Sequence, residues 1–230
     1  MYNIDNEIFN INRIRIRVLE QVDAVIPFQD ATMGPFPKFG ISIITIEDED
    51  GNLGEAPVYN SYMNILETCL FPILFHSHSV PYIEFYPKLY WAIRNEGFKG
   101  AAGAILGQID MALYDLAARR RKVPLYRYIG GTHNDVKMYG CGGGTNYTLK
   151  ELESEVTFLM DKGVDCYKMK VGKNFGTKIN EDIERVKFVK QLVGNRMEIA
   201  ADVNQIWNCN DVFKFLDAVG EESLCWLEEP

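Results

Sequence analysis

A chain of 230 residues has room for one large domain or two smaller ones. With 47% hydrophobic and 24% charged residues it has an ordinary globular composition, which argues against a disordered chain. Acidic side chains outnumber basic ones by 32 to 24; the net charge of −8 argues against nucleic acid or an anionic membrane as partner, but leaves a small anionic substrate open.

The chain begins polar and slightly acidic from Met1 to Asn10, without the basic and apolar regions of a signal peptide. No apolar run approaches the roughly 20 residues that span a bilayer. Cys69, Cys141, Cys166, Cys209 and Cys225 include no C-x-x-C pair, so reduced thiols in a cytoplasmic protein are expected, not a disulfide framework. Ile11 to Val18 alternates apolar with Arg, which predicts a strand with Ile14, Ile16 and Val18 on one face. A Pro-, Gly- and Phe-rich stretch at 27–39 reads as a loop. A second strand over 40–46 follows, then the acidic turn 47–52 and a hairpin partner at 53–56. Short helices are expected over 61–75 and 82–94. Ile105, Ile109, Ala112, Leu113 and Leu116 then mark one apolar face of a helix over 101–121, stopped before Pro124.

From residue 136 the rhythm becomes strand, helix, strand, helix. Strands are expected at 136–141, 166–171, 199–203 and 224–228, with helices at 148–162, 179–193 and 210–219. Gly163, Gly194 and Gly220 each follow a helix end, as caps should. Strands starting about 30 residues apart are the repeat of βα units in a parallel sheet, either doubly wound or a (β/α)8 barrel. Four such strands make about half a barrel. Half a barrel leaves an open edge, so the 230 residues expressed alone are expected to self-associate, aggregate or take up a complementary chain, and to be inactive.

Polar side chains gather at the ends of three of these strands. Lys168 and Lys170 share a face, about 7 Å apart along the strand. Two ammonium groups so close should depress each other's pKa and make a general base. Asp202 and Asn204 share a face on the next strand. On the last, Glu228 and Glu229 point in opposite directions. Carboxylates on adjacent parallel strands can share one hard cation, Mg²⁺ or Mn²⁺. Each feature alone has a plainer account, as solvated lysines or helix caps. Their order at equivalent strand ends is what barrel enzymes use.

Lys168-x-Lys170, Asp202-x-Asn204-Gln205 and Trp226-Leu227-Glu228-Glu229-Pro230 resemble the mandelate racemase/muconate lactonizing group of the enolase superfamily. Gln108 to Leu116 and Pro124 to Gly131 resemble its linker helix and the turn into its barrel. The resemblance implies a fold class of α/β type: a TIM-type (β/α) barrel, its first half over 126–230, preceded by an α+β capping domain over 1–125. It implies Mg²⁺-dependent abstraction of the proton α to a carboxylate through an enediolate. Lys170 is then the base, Lys168 its neighbour that meets the substrate carboxylate, Asp202 and Glu228 two metal ligands, and Asn204 a contact to substrate, with Glu229 facing away. A third metal ligand from a fifth strand and a second acid/base from a sixth or seventh lie beyond these four strands. A homo-oligomer is expected for the full-length protein.

Within the family, dehydration of a sugar acid is preferred, with racemase, epimerase or cycloisomerase chemistry as the alternative. Outside it stand a Schiff-base aldolase using Lys170 and a non-catalytic remnant. Tyr59, with the Tyr59–Met63 segment and the 27–39 loop, is a candidate substrate wall. Gly140 to Gly144 lacks the spacing of a phosphate loop and reads as a turn that lets backbone approach closely. His76 and His78 read as surface residues.

Overall fold

The computed structural model describes residues 2–59 and 63–230. It divides into two compact units, Met1–Val22 with Gly40–Asp135, and Asp23–Phe39 with Val136–Pro230. Residues 23–39 thus group with the later strands, an association that no local pattern announces. No helix among the described residues is long and apolar enough to cross a membrane.

The strands are β1 (Ile11–Val18), β2 (Val22–Phe28), β3 (Phe36–Phe39), β4 (Ser42–Asp48), β5 (Leu53–Val58), β6 (Gly140–Gly142), β7 (Cys166–Lys170), β8 (Glu198–Asp202) and β9 (Leu227–Glu228). In the first unit β1, β4 and β5 form an antiparallel sheet with β4 central. Ile14 pairs with Ile46 and Ile16 with Ile44, so the period-two alternation of β1 lines one face. The chain continues through α1 (Met63–Ile65), a π-helical stretch Leu66–Leu70, α2 (Phe71–Phe75), α3 (Tyr82–Ala92), α4 (Ala101–Arg120) and α5 (Leu125–Tyr128). Residues 61–62 of the predicted first helix, and residues 60–62 of the expected Tyr59–Met63 substrate wall, lie outside the described residues. The apolar face of α4 buries Ile105, Ile109, Leu113 and Leu116 completely, in one core with Ile44 and Ile46 of β4 and with Leu70, Phe85 and Leu89.

Asp48 closes the hairpin between β4 and β5. It is 1% exposed and accepts from the Asn52 N–H at 2.7 Å, the Asn52 side chain at 2.9 Å and Arg120 Nε at 2.7 Å. Burial pushes its carboxyl up, but the hydrogen bonds from Asn52 and Arg120 outweigh that and hold it below its usual value. A carboxyl lowered on folding releases its proton more easily folded than unfolded. Its contribution is therefore present above about pH 4 and is lost as pH falls through the folded value. Denaturant unfolding between pH 3 and 7 should show stability falling on acidification, with a shallower fall in Asp48→Asn. Equal slopes would remove Asp48 from this account.

In the second unit β2 and β3 pair as a two-stranded sheet. This narrows the loop expected at 27–39 to residues 29–35. Pro27, Gly34, Pro35 and Pro37 mask an alternation in which Ala24, Ile26 and Phe28 are half-buried between exposed neighbours. Proline is tolerated in edge strands, where no ladder donor is needed.

The remaining strands form one parallel sheet in the order β6-β7-β8-β9. Between them run α6 (Leu149–Asp161), α7 (Ile179–Val193) and α8 (Cys209–Val219). Thr148 caps α6 in a capping box with Glu151, and Gly163, Gly194 and Gly220 have φ of 76, 58 and 88° after the three helices. Helix α6 packs on α7 and α7 on α8, in the same sequential order as the strands. A doubly wound sheet reverses its strand order at a switch point; this sheet does not, and its helices follow one another as in the wall of a barrel. The sheet is an arc of a TIM-type barrel. Strands β6 and β9 are shorter than the predicted 136–141 and 224–228, because regular pairing reaches only Gly140–Gly142 on β7 and Leu227–Glu228 on β8.

Candidate active site

Alternation along the parallel strands sorts the side chains onto two faces. Tyr167, Met169, Val171, Ile199, Ala201 and Val203 pack with Leu152, Val156, Ile183, Val186 and Val189 of the helices. Lys168, Lys170, Asp202 and Glu228 occupy the positions between, on the inner face. Register sets Lys170 beside Asp202 and Asp202 beside Glu228.

The four side chains meet. Lys170 Nζ donates to Asp202 Oδ2 at 2.6 Å, and Lys168 Nζ donates to Glu228 Oε1 at 2.6 Å while standing 3.4 Å from the same Asp202 oxygen. The Asp202 side chain is 3% exposed and that of Lys168 7%. Lys168 Nζ lies 5.5 Å from the Tyr139 ring centre, and the Trp226 indole N–H donates to the second Glu228 oxygen at 3.1 Å. Trp226 stands edge-on to Tyr139, 5.2 Å between centres.

Burial pushes the Asp202 carboxyl up, but the Lys170 hydrogen bond, the Asn204 N–H at 3.0 Å and the charges of both lysines hold it below its usual value. Lys168 runs opposite to its expected depression. Burial lowers it, but the Glu228 hydrogen bond and the surrounding negative charge raise it well above the ordinary lysine value. The sequence showed the lysine–lysine repulsion; the carboxylates that overcome it come from strands about 30 and 60 residues further on.

Asn204 and Glu229 depart from strand geometry, with φ of 52 and 46°, so alternation does not orient them. Asn204 Nδ2 and Gln205 Nε2 donate to the Glu229 carboxylate at 3.4 and 3.0 Å, while Asn204 Oδ1 is buried without a hydrogen-bond partner. Two carboxylates reaching one ammonium nitrogen make an all-oxygen donor pair around a point that already draws positive charge. That pair fits a hard divalent cation. Tyr59 belongs to the first unit, after β5, where its N–H donates to Gln108 Oε1 at 3.3 Å.

The loops at this end of the sheet are held by an ion pair that sequence reasoning missed. Arg185 of α7 donates to the carbonyls of Lys170, Gly143 and Gly144 at 2.9, 2.9 and 2.7 Å and to Asp182 Oδ1 at 3.1 Å. The other Asp182 oxygen accepts the N–H groups of Gly172 and Lys173. The signal was a carboxylate, Asp182, on the same helix face as Ile179, Val186, Val189 and Val193, all of them buried. Gly143, with φ of 63°, leaves no room for a Cβ, which would lie 2.6 Å from that of Met169; the glycine turn approaches its own neighbouring strand. Asp182 is 0% and Arg185 4% exposed. Arg185→Met should therefore cost about 3–5 kcal/mol by stranding the carboxylate. Urea unfolding checks this, and a loss below about 1 kcal/mol would contradict it.

Segment 27–31 is fastened to the same loops. Thr145 Oγ1 donates to Asp30 O at 2.7 Å, Asn146 Nδ2 to Pro27 O at 2.8 Å, and the Phe175 N–H to Ala31 O at 3.3 Å.

Known proteins share this arrangement of elements. Residues 151–230 match the family model described as enolase C-terminal domain-like. The chain is 25% identical over 207 residues to a 3,6-anhydro-alpha-L-galactonate cycloisomerase of Streptomyces coelicolor, covering 87% of this chain and 56% of that protein. It is 31% identical over 146 residues to the L-talarate/galactarate dehydratase of Salmonella typhimurium, covering 63% of this chain and 36% of the dehydratase. Other relatives are racemases and epimerases. The fold superimposes with a TM-score of 0.86 on a Streptomyces coelicolor racemase solved with bound magnesium, at 24% identity, over 96% of this chain and 62% of the racemase. The chain spans roughly a third to three-fifths of the length of the curated relatives it matches. Sequential βα units, lysines and carboxylates at consecutive strand ends, and these matches lead to one conclusion: residues 151–230 match the enolase C-terminal domain-like family, and the proteins this chain resembles are cycloisomerases, dehydratases, racemases and epimerases with the fold of the mandelate racemase/muconate lactonizing group.

Proposed function

We propose that this protein removes the proton α to a carboxylate of its substrate, with Lys170 as base, and that the substrate is a sugar acid dehydrated to a 2-keto-3-deoxy acid. The observation that carries the reading is the meeting of Lys168, Lys170, Asp202 and Glu228 at the C-terminal ends of three consecutive parallel strands. Asp202 and Glu228 would hold Mg²⁺, or Mn²⁺ in its place, with Asn204 beside them. Bound there, the ion supplies positive charge to the substrate carboxylate as the departing proton leaves negative charge on it. Lys168, an ammonium group at neutral pH, attracts that carboxylate. Lys170 takes the proton only as a free amine, so its bond to Asp202 opens before it acts. Segment 27–31, tied to the loops after β6 and β7, shields the mouth from water, which strengthens these charges.

The named substrates of the Salmonella dehydratase support a sugar acid. The similarity to a cycloisomerase over 87% of this chain favours, as second reading, an isomerisation that shares the same first step. A panel of acid sugars in D₂O with Mg²⁺, offered to the full-length protein, separates the two. Exchange at the α-carbon with keto-acid formation supports dehydration, and exchange with an isomeric product supports the second reading. EDTA should stop both. EDTA-insensitive turnover with a borohydride-trapped lysine adduct would instead indicate a Schiff base, and absence of exchange with every acid would leave a non-catalytic protein.

A further inference from the structure

The opposite ends of the same strands carry a second cluster. Cys166 opens β7 and Glu198 opens β8, directly paired in the sheet. Cys225 precedes β9, its N–H on Ile199 O at 2.8 Å. The ligand atoms of these three side chains all lie within 4.8 Å of one another, and the sulfurs are 3.8 Å apart. Cys166 is 3% exposed, whereas Glu198 and Cys225 are exposed and give the cluster a route to solvent. Lys137 Nζ is drawn to the same place, 3.4 Å from Glu198 and 3.6 Å from Asp165. Burial, then the neighbouring Cys225 thiol and Glu198 charge, push the Cys166 thiol up to about 12, so Cys166 is protonated at neutral pH.

Two chemistries could use such a pair. A disulfide needs Cα atoms about 4.4–6.8 Å apart. Strand β8 lies between β7 and β9, and two strand spacings of about 4.8 Å exceed that span. A tetrahedral ion with metal–sulfur bonds of about 2.3 Å places its sulfurs about 3.8 Å apart. The observed separation is that of a tetrahedral edge, reached with no backbone movement. Two sulfurs and one carboxylate select a borderline-soft ion over magnesium.

We propose that Cys166, Glu198 and Cys225 form a site for a zinc-class divalent cation at the N-terminal ends of β7, β8 and β9, separate from the carboxylate–lysine site at their C-terminal ends. Binding forms two metal–thiolate bonds and one metal–carboxylate bond. Both thiol protons pass to solvent, no electron is transferred, and water fills the remaining position. The ion then ties three strands together at the end where Cys166 and Cys225 otherwise share only a thiol–thiol hydrogen bond.

Cobalt(II) titration of the metal-stripped, reduced protein tests the site. Thiolate-to-cobalt charge-transfer bands should saturate near one equivalent, with release of about two protons per ion. Cys166→Ser and Cys225→Ser should each lose these bands. Glu198→Gln should weaken binding by roughly tenfold or more, whereas Cys141→Ser and Asp202→Asn should leave the bands unchanged. Bands that persist in either cysteine variant, or no saturable band in the wild type, would overturn the proposal. If a cysteine variant fails to fold, X-ray absorption of the zinc-loaded wild type decides. Two sulfur neighbours at about 2.3 Å support the site; a shell of light atoms alone, or recovery of a Cys166–Cys225 disulfide in place of bound zinc, refutes it.

Discussion

Replacement of Lys170 by alanine is expected to slow exchange of the substrate α-proton with D₂O by about 10²- to 10⁴-fold, the usual worth of a positioned general base. The expectation rests on position. Lys170 is the last residue of β7, its Nζ is held on the inner face by Asp202 at 2.6 Å, and its side chain is 13% exposed. Lys168→Ala removes a different function. Lys168 is bound to Glu228 and lies over Tyr139, so its loss should raise KM while exchange continues. Measuring exchange separately from turnover distinguishes the two. Wild-type exchange in Lys170→Ala would sink the assignment of the base, whatever became of turnover.

Asp202→Asn should have the second large effect. Asp202 is the hub of the cluster, touched by both lysines and by the Asn204 N–H. An amide keeps the shape and still accepts from Asn204, but it carries no charge to draw a hard cation. Calorimetric Mg²⁺ binding should weaken by at least about tenfold and turnover should disappear. Far-ultraviolet circular dichroism should be unchanged, because Lys168 keeps Glu228 and the sheet register does not depend on Asp202. Unaltered Mg²⁺ affinity would show that the carboxylate pair is a structural ion-pair network only.

Much of the second unit was legible locally. Ile179, Ile183, Val186, Val189 and Val193 repeat at helical spacing and Gly194 follows them, and helix α7 has the predicted bounds. Two-residue alternation set Lys168 and Lys170 on one face before any partner was known. These signals are carried by neighbours in the chain, where backbone geometry alone relates one side chain to the next. The hairpin of β2 and β3, the grouping of residues 23–39 with the barrel strands, and the true lengths of β6 and β9 were not legible. The first is masked by Pro27, Gly34, Pro35 and Pro37; the others depend on partners distant in sequence, and a strand extends only as far as its partner runs beside it. The same holds for the charges. Repulsion between Lys168 and Lys170 follows from their spacing. Its reversal by Asp202 and Glu228, the Arg185–Asp182 brace and the 3.8 Å approach of Cys166 to Cys225 arise only when the sheet brings strands into register, because electrostatic and coordination energies depend on distance in space and not on separation along the chain.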